Sequence, residues 1–250
     1  MELEPDFVVS SEMSREFERT FRRFAELSDK SFEDELKNQG ALFVIDAIKV
    51  TPPFHQGVGQ GISAAKKAGE KTIGRNMDKI FVGVELVGSR KVTHLFGKPH
   101  PSAPWIVPAP EKYPDVAGLY AQEKAAAKQR ARNGIRFGGP PKTVDRRKVK
   151  KIYREEIRKV GWLAGGWNHA AGMLGAWAKV PGFVKRHVTS PGEVIIDFKP
   201  TSLRIVLINQ VKYADYVGGL QKRITFAMRK RIDSMRRQIP YLIRAARRKS

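Results

Sequence analysis

Histidine is the first residue type to question for chemistry, because imidazole serves as a general base and a metal ligand near neutral pH. The chain has His55, His94, His100, His169 and His187. Only His94 and His100 lie near one another, and no pair shows the i,i+4 spacing with a carboxylate expected of a helical zinc site. His169, between Asn168 and Ala170, reads as a packed or polar-contact histidine. Paired acids occur at Glu33-Asp34-Glu35 and Glu155-Glu156. In amphipathic or basic helices these read as solvated faces with partners one turn away, such as Glu155 with Lys159. No Gly-x-Ser-x-Gly nucleophile turn is present. Gly57-Val58-Gly59-Gln60-Gly61 invites comparison with phosphate loops. A dinucleotide fingerprint, however, needs a preceding strand and a different glycine spacing, and a P-loop needs Gly-Lys-Ser/Thr. Here a helix stopped by prolines comes before the loop, so a flexible interface loop is expected. Without cysteine there are no disulfides, thiolate metal sites or Cys nucleophiles. The expectation is a non-enzymatic chain with no catalytic residues, no cofactor and no metal.

The most distinctive stretch runs from Val160 to His187 and carries three of the four tryptophans among six glycines, with no acidic residue. Glycine and alanine let backbones approach closely while large rings fill shaped gaps, which suits packing and subunit contact. Trp162, Trp167 and Trp177 are five and ten residues apart, so one straight helix cannot place all three on one side. Trp162 and Trp167 are expected inside and Trp177, nearest the Pro181 break, at a subunit contact.

Charge is the compositional outlier, with 47 Lys+Arg against 25 Asp+Glu, a net +22 over 250 residues. A field of that size calls for an acidic partner such as nucleic acid, a lipid surface or an acidic protein face. It is uneven. Residues 1–40 sum to −5, whereas residues 121–160 and 218–250 each sum to +10. The candidate contacts to DNA or an acidic partner are Arg146, Arg147, Lys148, Lys150 and Lys151 in the first basic stretch. In the second they are Arg229, Lys230, Arg231, Arg236 and Arg237. Aromatics in these stretches are few, so stacking platforms for single strands are poorly supported. No apolar run approaches the roughly 20 residues that span a bilayer, and no membrane partner is expected. The acidic start, MELEPDF, does not read as a signal peptide.

These residues need elements to position them. Met13, Phe17, Phe21 and Phe24 are spaced by four, four and three, which predicts a helix over 11–27. Ser31, with Asp34 three residues on, predicts the cap of a second helix. Its face is Phe32, Leu36, Phe43, Ala47 and Ile48, and it stops at Thr51-Pro52-Pro53. A basic helix is expected over 63–79 and a strand over Ile80–Val87. Six prolines between Gly97 and Gly118 exclude a continuous element, and predict an extended arm with Trp105 as its anchor. A polar helix over 119–132, a break at Asn133–Pro141 and a basic helix over Val144–Val160 follow. Glu193–Phe198 and Leu203–Ile208 predict paired strands. From Gly219, Leu220, Ile224, Met228, Ile232, Met235, Ile239 and Leu242 keep helical spacing, with a kink expected before Pro240. The fold class is α+β: a small, mainly antiparallel sheet against long N- and C-terminal helices, with a Pro-rich and helical insertion. The core domain comprises residues 1–96 and 161–250, and the insertion is 97–160.

The order of these features resembles the tail-completion (neck) proteins of long-tailed bacteriophages. Ala47-Ile48-Lys49-Val50-Thr51-Pro52-Pro53 followed by Gly57 looks like that family's first helix ending in a Thr-Pro turn. Asn209-Gln210-Val211-Lys212-Tyr213-Ala214-Asp215-Tyr216-Val217 looks like its step from last strand into final helix, and Gly165-Gly166-Trp167 is similar to a pattern in larger prophage relatives. Where that family has an acidic residue and glycine-threonine after the tyrosine step, this chain has Gly218-Gly219-Leu220. The insertion has no counterpart in the short members.

The resemblance implies a virion structural protein in the neck or tail, assembled in the host cytoplasm. It would form a homo-oligomeric ring joining the portal–connector to the tail tube, with DNA in the channel. The interface candidates are Trp105, Trp177, Tyr213 and Tyr216. The alternative is a basic protein that contacts nucleic acid non-specifically through residues 121–160 and 218–250.

Overall fold

The computed structural model describes residues 11–28, 31–54, 61–84, 92–93, 115–132, 142–199, 202–212, 214 and 217–249. The chain divides into two compact units, one of residues 1–66 and 161–250 and one of residues 67–160. The fold class is α+β.

In the first unit, helix α1 (Ser11–Glu26) lies along α9 (Leu220–Lys249) because each carries an apolar stripe at helical spacing. Phe21, Phe24 and Ala25 bury against Met235 and Ile239, and Phe17 stacks on Phe21 with ring centroids 6.0 Å apart. Helix α2 (Phe32–Val50) starts as expected: the Asp34 amide donates to Ser31 Oγ at 3.1 Å, and that hydroxyl donates back to Asp34 Oδ2 at 2.8 Å. It stops at Thr51, whose extended backbone precedes Pro52-Pro53. Phe43 and Val50 close on Ala227 of α9. Phe32 departs from the expected core face. It is 37% exposed and forms a T-shaped pair with Phe21, ring centroids 6.2 Å apart.

Strands β4 (Gly192–Lys199) and β5 (Ser202–Asn209) pair antiparallel from Gly192↔Asn209 to Lys199↔Ser202. The hairpin sits on α2 and on α7 (Asn168–Met173). Leu207 packs on the Phe43 cluster, so its register partner Val194 and the next pair, Ile196 and Ile205, share that inner face. The other face therefore holds Ile195 opposite Val206 and Ile208 opposite Glu193. Ile195 is 45% exposed.

The second unit corrects three expectations. Strand β1 (Phe81–Val84) does not join the hairpin sheet. It pairs antiparallel with β2 (Val92–Thr93) and parallel with β3 (Lys142–Asp145), in the order β2-β1-β3. Parallel pairing demands a crossover, here containing α4 (Val116–Arg132). The boundary therefore falls at residue 67, within α3 (Ile62–Asp78), rather than at 97. The basic helix expected from Val144 begins instead as β3, and α5 covers Arg146–Arg158. Asp145 caps it, accepting from the Arg147 amide at 2.7 Å. Met77, Phe81, Val116, Tyr120, Val144, Val149 and Ile152 form this unit's core. Residues 97–114 of the proline-rich arm, with Trp105, lie outside the described residues, and its end from Val116 is the first turn of α4 rather than extended chain.

Candidate functional site

The tryptophan segment is broken into short helical turns. It contains α6 (Trp162–Gly165), α7, a 3₁₀ turn (Trp177–Lys179) and α8 (Gly182–Lys185). Gly161 opens it at φ +95°, a left-handed backbone that favours glycine. Close approach explains Gly166 and Gly192. A Cβ on Gly192 would lie 1.9 Å from the Gly166 carbonyl oxygen, and one on Gly166 would strike the Asn209 side chain.

Polar side chains fix these short turns. Asn168 donates to the carbonyls of Val184 (2.9 Å) and His187 (3.1 Å). Asn209, leaving β5, donates to Leu163 O at 2.9 Å and accepts from the Val211 amide at 3.2 Å. Ser190 Oγ donates to Trp162 O at 2.7 Å. Trp167 is buried, and its indole N–H donates to Thr51 Oγ1 at 3.1 Å; Thr51 Oγ1 in turn donates to Ala47 O at 2.7 Å. The Thr-Pro turn and the Gly-Gly-Trp pattern, more than a hundred residues apart in the chain, thus meet in one hydrogen bond.

The three rings divide by burial. Trp162 is half-buried, lies edge-on to His187 at 5.5 Å, and packs on Leu163, Val211, Ala214 and Leu220. Trp177 is 38% exposed, with Lys185 Nζ 5.6 Å from its ring centre. His169, read as a packed or polar-contact histidine, is exposed. It is His187 that is buried, its Nε2 accepting from Arg186 Nε at 3.2 Å. Tyr213, Tyr216, the glycine loop 57–61 except Gly61, and the remaining histidines fall outside the described residues. Among the described residues no group of histidines and acids is arranged to hold a metal, and no helix is long and apolar enough to cross a membrane.

The two basic stretches are disposed differently. On α9, Lys230 Nζ lies 2.6 Å from Asp46 Oδ1, and Arg231 Nε lies 2.6 Å from Oδ2 as an ion-pair contact. Asp46 is 5% exposed. Arg236 pairs with Glu16 at 2.8 Å, while Arg229 and Arg237 are exposed. On α5, Arg147, Lys148 and Lys151 are exposed and Arg146 and Lys150 are partly buried. The Arg154 and Arg158 side chains, not among the candidates, are exposed as well.

Two acids read as solvated are buried. Glu35 is 3% exposed and accepts from Gln39 Nε2 at 2.8 Å. Glu156 binds Lys124 of α4 at 2.9 Å and also Lys159, which the sequence reading paired with Glu155. Burial pushes the Glu156 pKa up, but hydrogen bonds from Lys159 and Lys124 outweigh it and hold the carboxyl below its ordinary range. Burial, reinforced by Glu156, pushes the Tyr120 phenol up to about 12. No sequence signal marked the pairing of Asp46 with Lys230 and Arg231 or of Glu156 with Lys124, because these form across helix–helix contacts. No protein-family model matches this chain, and neither a curated protein nor a solved structure shows a match.

Proposed function

We propose that this chain is a non-enzymatic virion structural protein, a ring-forming tail-completion component that joins portal–connector to tail tube. The observation that carries the reading is the outer face of the β4–β5 hairpin. Ile195, Val206 and Ile208 lie on the face turned away from α2 and α7, and the two-stranded sheet leaves both edges unpaired among the described residues. Apolar sheet faces and open strand edges are surfaces that proteins ordinarily cover. A second copy of the chain would cover this one, with Trp177 as an aromatic anchor of the kind that dominates interface energy. The bond between Trp167 and Thr51 adds support, because it joins two of the motifs on which the family resemblance rests.

Light scattering on the purified chain tests this. The unaltered protein is expected as one discrete oligomer, and Ile195→Asp as a folded protein of lower mass. An oligomer of unchanged mass in that variant would remove the hairpin from the interface.

A further inference from the structure

Helix α5 exposes Arg147, Lys151, Arg154 and Arg158 at spacings of four, three and four. They therefore line one side of the helix along about 16 Å. The opposite side, Val149, Ile152 and Glu156, is buried. No ion pair among the described residues engages these four cations, and the nearby buried carboxylate, Glu156, is committed to Lys124 and Lys159. Glu155 is the one exposed acid of the helix. Residues 67–160 hold 22 Lys+Arg against 9 Asp+Glu, a net +13.

We infer that this ridge of α5 binds the phosphodiester backbone of duplex DNA without reading its sequence. An evenly spaced row of cations matches a ligand whose anions repeat, and duplex DNA presents one phosphate per about 1.7 Å of axis. Three of the four are arginines, whose planar forks fit phosphate oxygens in pairs. The ridge has no exposed aromatic or large aliphatic residue beside it. Tyr153 and Ile157 are partly buried. Single-stranded nucleic acid wants stacking rings and a lipid surface wants apolar anchors, and neither is offered here. A second copy's α1 is a poor match, because its acids interleave with arginines and Glu16 and Glu18 are already paired with Arg236 and Arg22. The inference does not depend on the ring reading.

Fluorescence anisotropy with a labelled duplex of arbitrary sequence, followed over about 50–200 mM salt, reads the ridge directly. The variant R147Q/K151Q/R154Q/R158Q is expected to bind at least about tenfold more weakly and to lower the log–log salt slope by about 3–4. The control R15Q/R19Q/R23Q/K49Q removes as many exposed cations outside the two basic stretches and is expected to change the slope by less than about 1. Should the fourfold variant unfold, Arg154→Glu alone is expected to reduce the slope by about 1–2. Equal losses in ridge variant and control would reduce the effect to net charge and overturn the inference. So would unchanged DNA binding in the ridge variant. Ridge-dependent binding to phosphatidylserine vesicles, without ridge-dependent DNA binding, would assign the surface to a membrane instead.

Discussion

Helices α5 and α9 are both basic and both amphipathic, yet only one keeps a continuous row of unpaired cations. Helix α9 is packed along α1 and α2, and those neighbours bring Glu16 and Asp46 to Arg236, Arg231 and Lys230. Helix α5 meets α4, whose Glu123 is taken by Lys142 while its Lys124 takes α5's own Glu156. In α9 Lys230, Arg231 and Arg236 serve the fold while Lys222, Arg229 and Arg237 stay exposed, and in α5 four cations face outward in one row. Net formal charge along the chain is the same +10 for residues 121–160, which contain α5, and residues 218–250, which contain α9. The neighbours decide how much of it a partner can use.

Substitutions in these helices separate packing from charge, with effects of different size. The largest effect is expected from Ile232→Asp, which separates the packing of α9 from its charge. Ile232 is 1% exposed, and burying a carboxylate there should cost several kcal/mol, on the order of 3–5, in urea unfolding at fixed protein concentration. An unchanged midpoint would remove α9 from the core.

Asp46→Ala comes next. Its partner Arg231 has a side chain only 11% exposed, so the substitution strands a largely buried guanidinium, at about 3 kcal/mol. Lys230 is half exposed and adds little. Matching losses from Asp46→Ala and from a neutralised Glu18, whose pair is exposed, would contradict a structural role for the α9 cations.

Glu156→Gln is expected to cost less, about 1–2 kcal/mol, because both lysine partners are half or more exposed. Here pH supplies the sign. The folded pKa of Glu156 lies below the ordinary carboxylate value, so its contribution is complete above that value and is lost as pH falls through the folded one. The stability gap between wild type and Glu156→Gln should therefore be full at neutral pH and shrink on acidification. A gap that widens in acid would mean that the carboxyl is neutral in the fold. The ridge substitutions on α5 should be smallest in stability, within about 0.5 kcal/mol, while changing DNA binding most.

Periodicity made much of this fold legible. The four-and-three spacing from Leu220 to Leu242 and the capping pair Ser31 and Asp34 gave two long helices, and alternation around Val194–Ile196 and Ile205–Leu207 gave the hairpin. Strand β3 escaped because Lys142–Asp145 is too short to alternate visibly, and its parallel partner lies about sixty residues away, across α4. Misplacing β1 followed from that omission. At the candidate sites, the five-and-ten spacing of the tryptophans pointed to at least one outward ring, and closeness to the Pro181 break singled out Trp177, which is exposed. The partners were not. Trp167 finds Thr51, Asp46 finds Arg231 and Glu156 finds Lys124 only through tertiary contact. Acidic residue types suggested solvent for Glu35 and Glu156, where helix contacts instead buried them.

The mass of the chain in solution decides whether it forms the proposed closed ring. Multi-angle light scattering across a tenfold dilution is expected to give one species, a fixed small multiple of 28.2 kDa. A 28.2 kDa monomer at every concentration, or a mass that grows without limit, would contradict it.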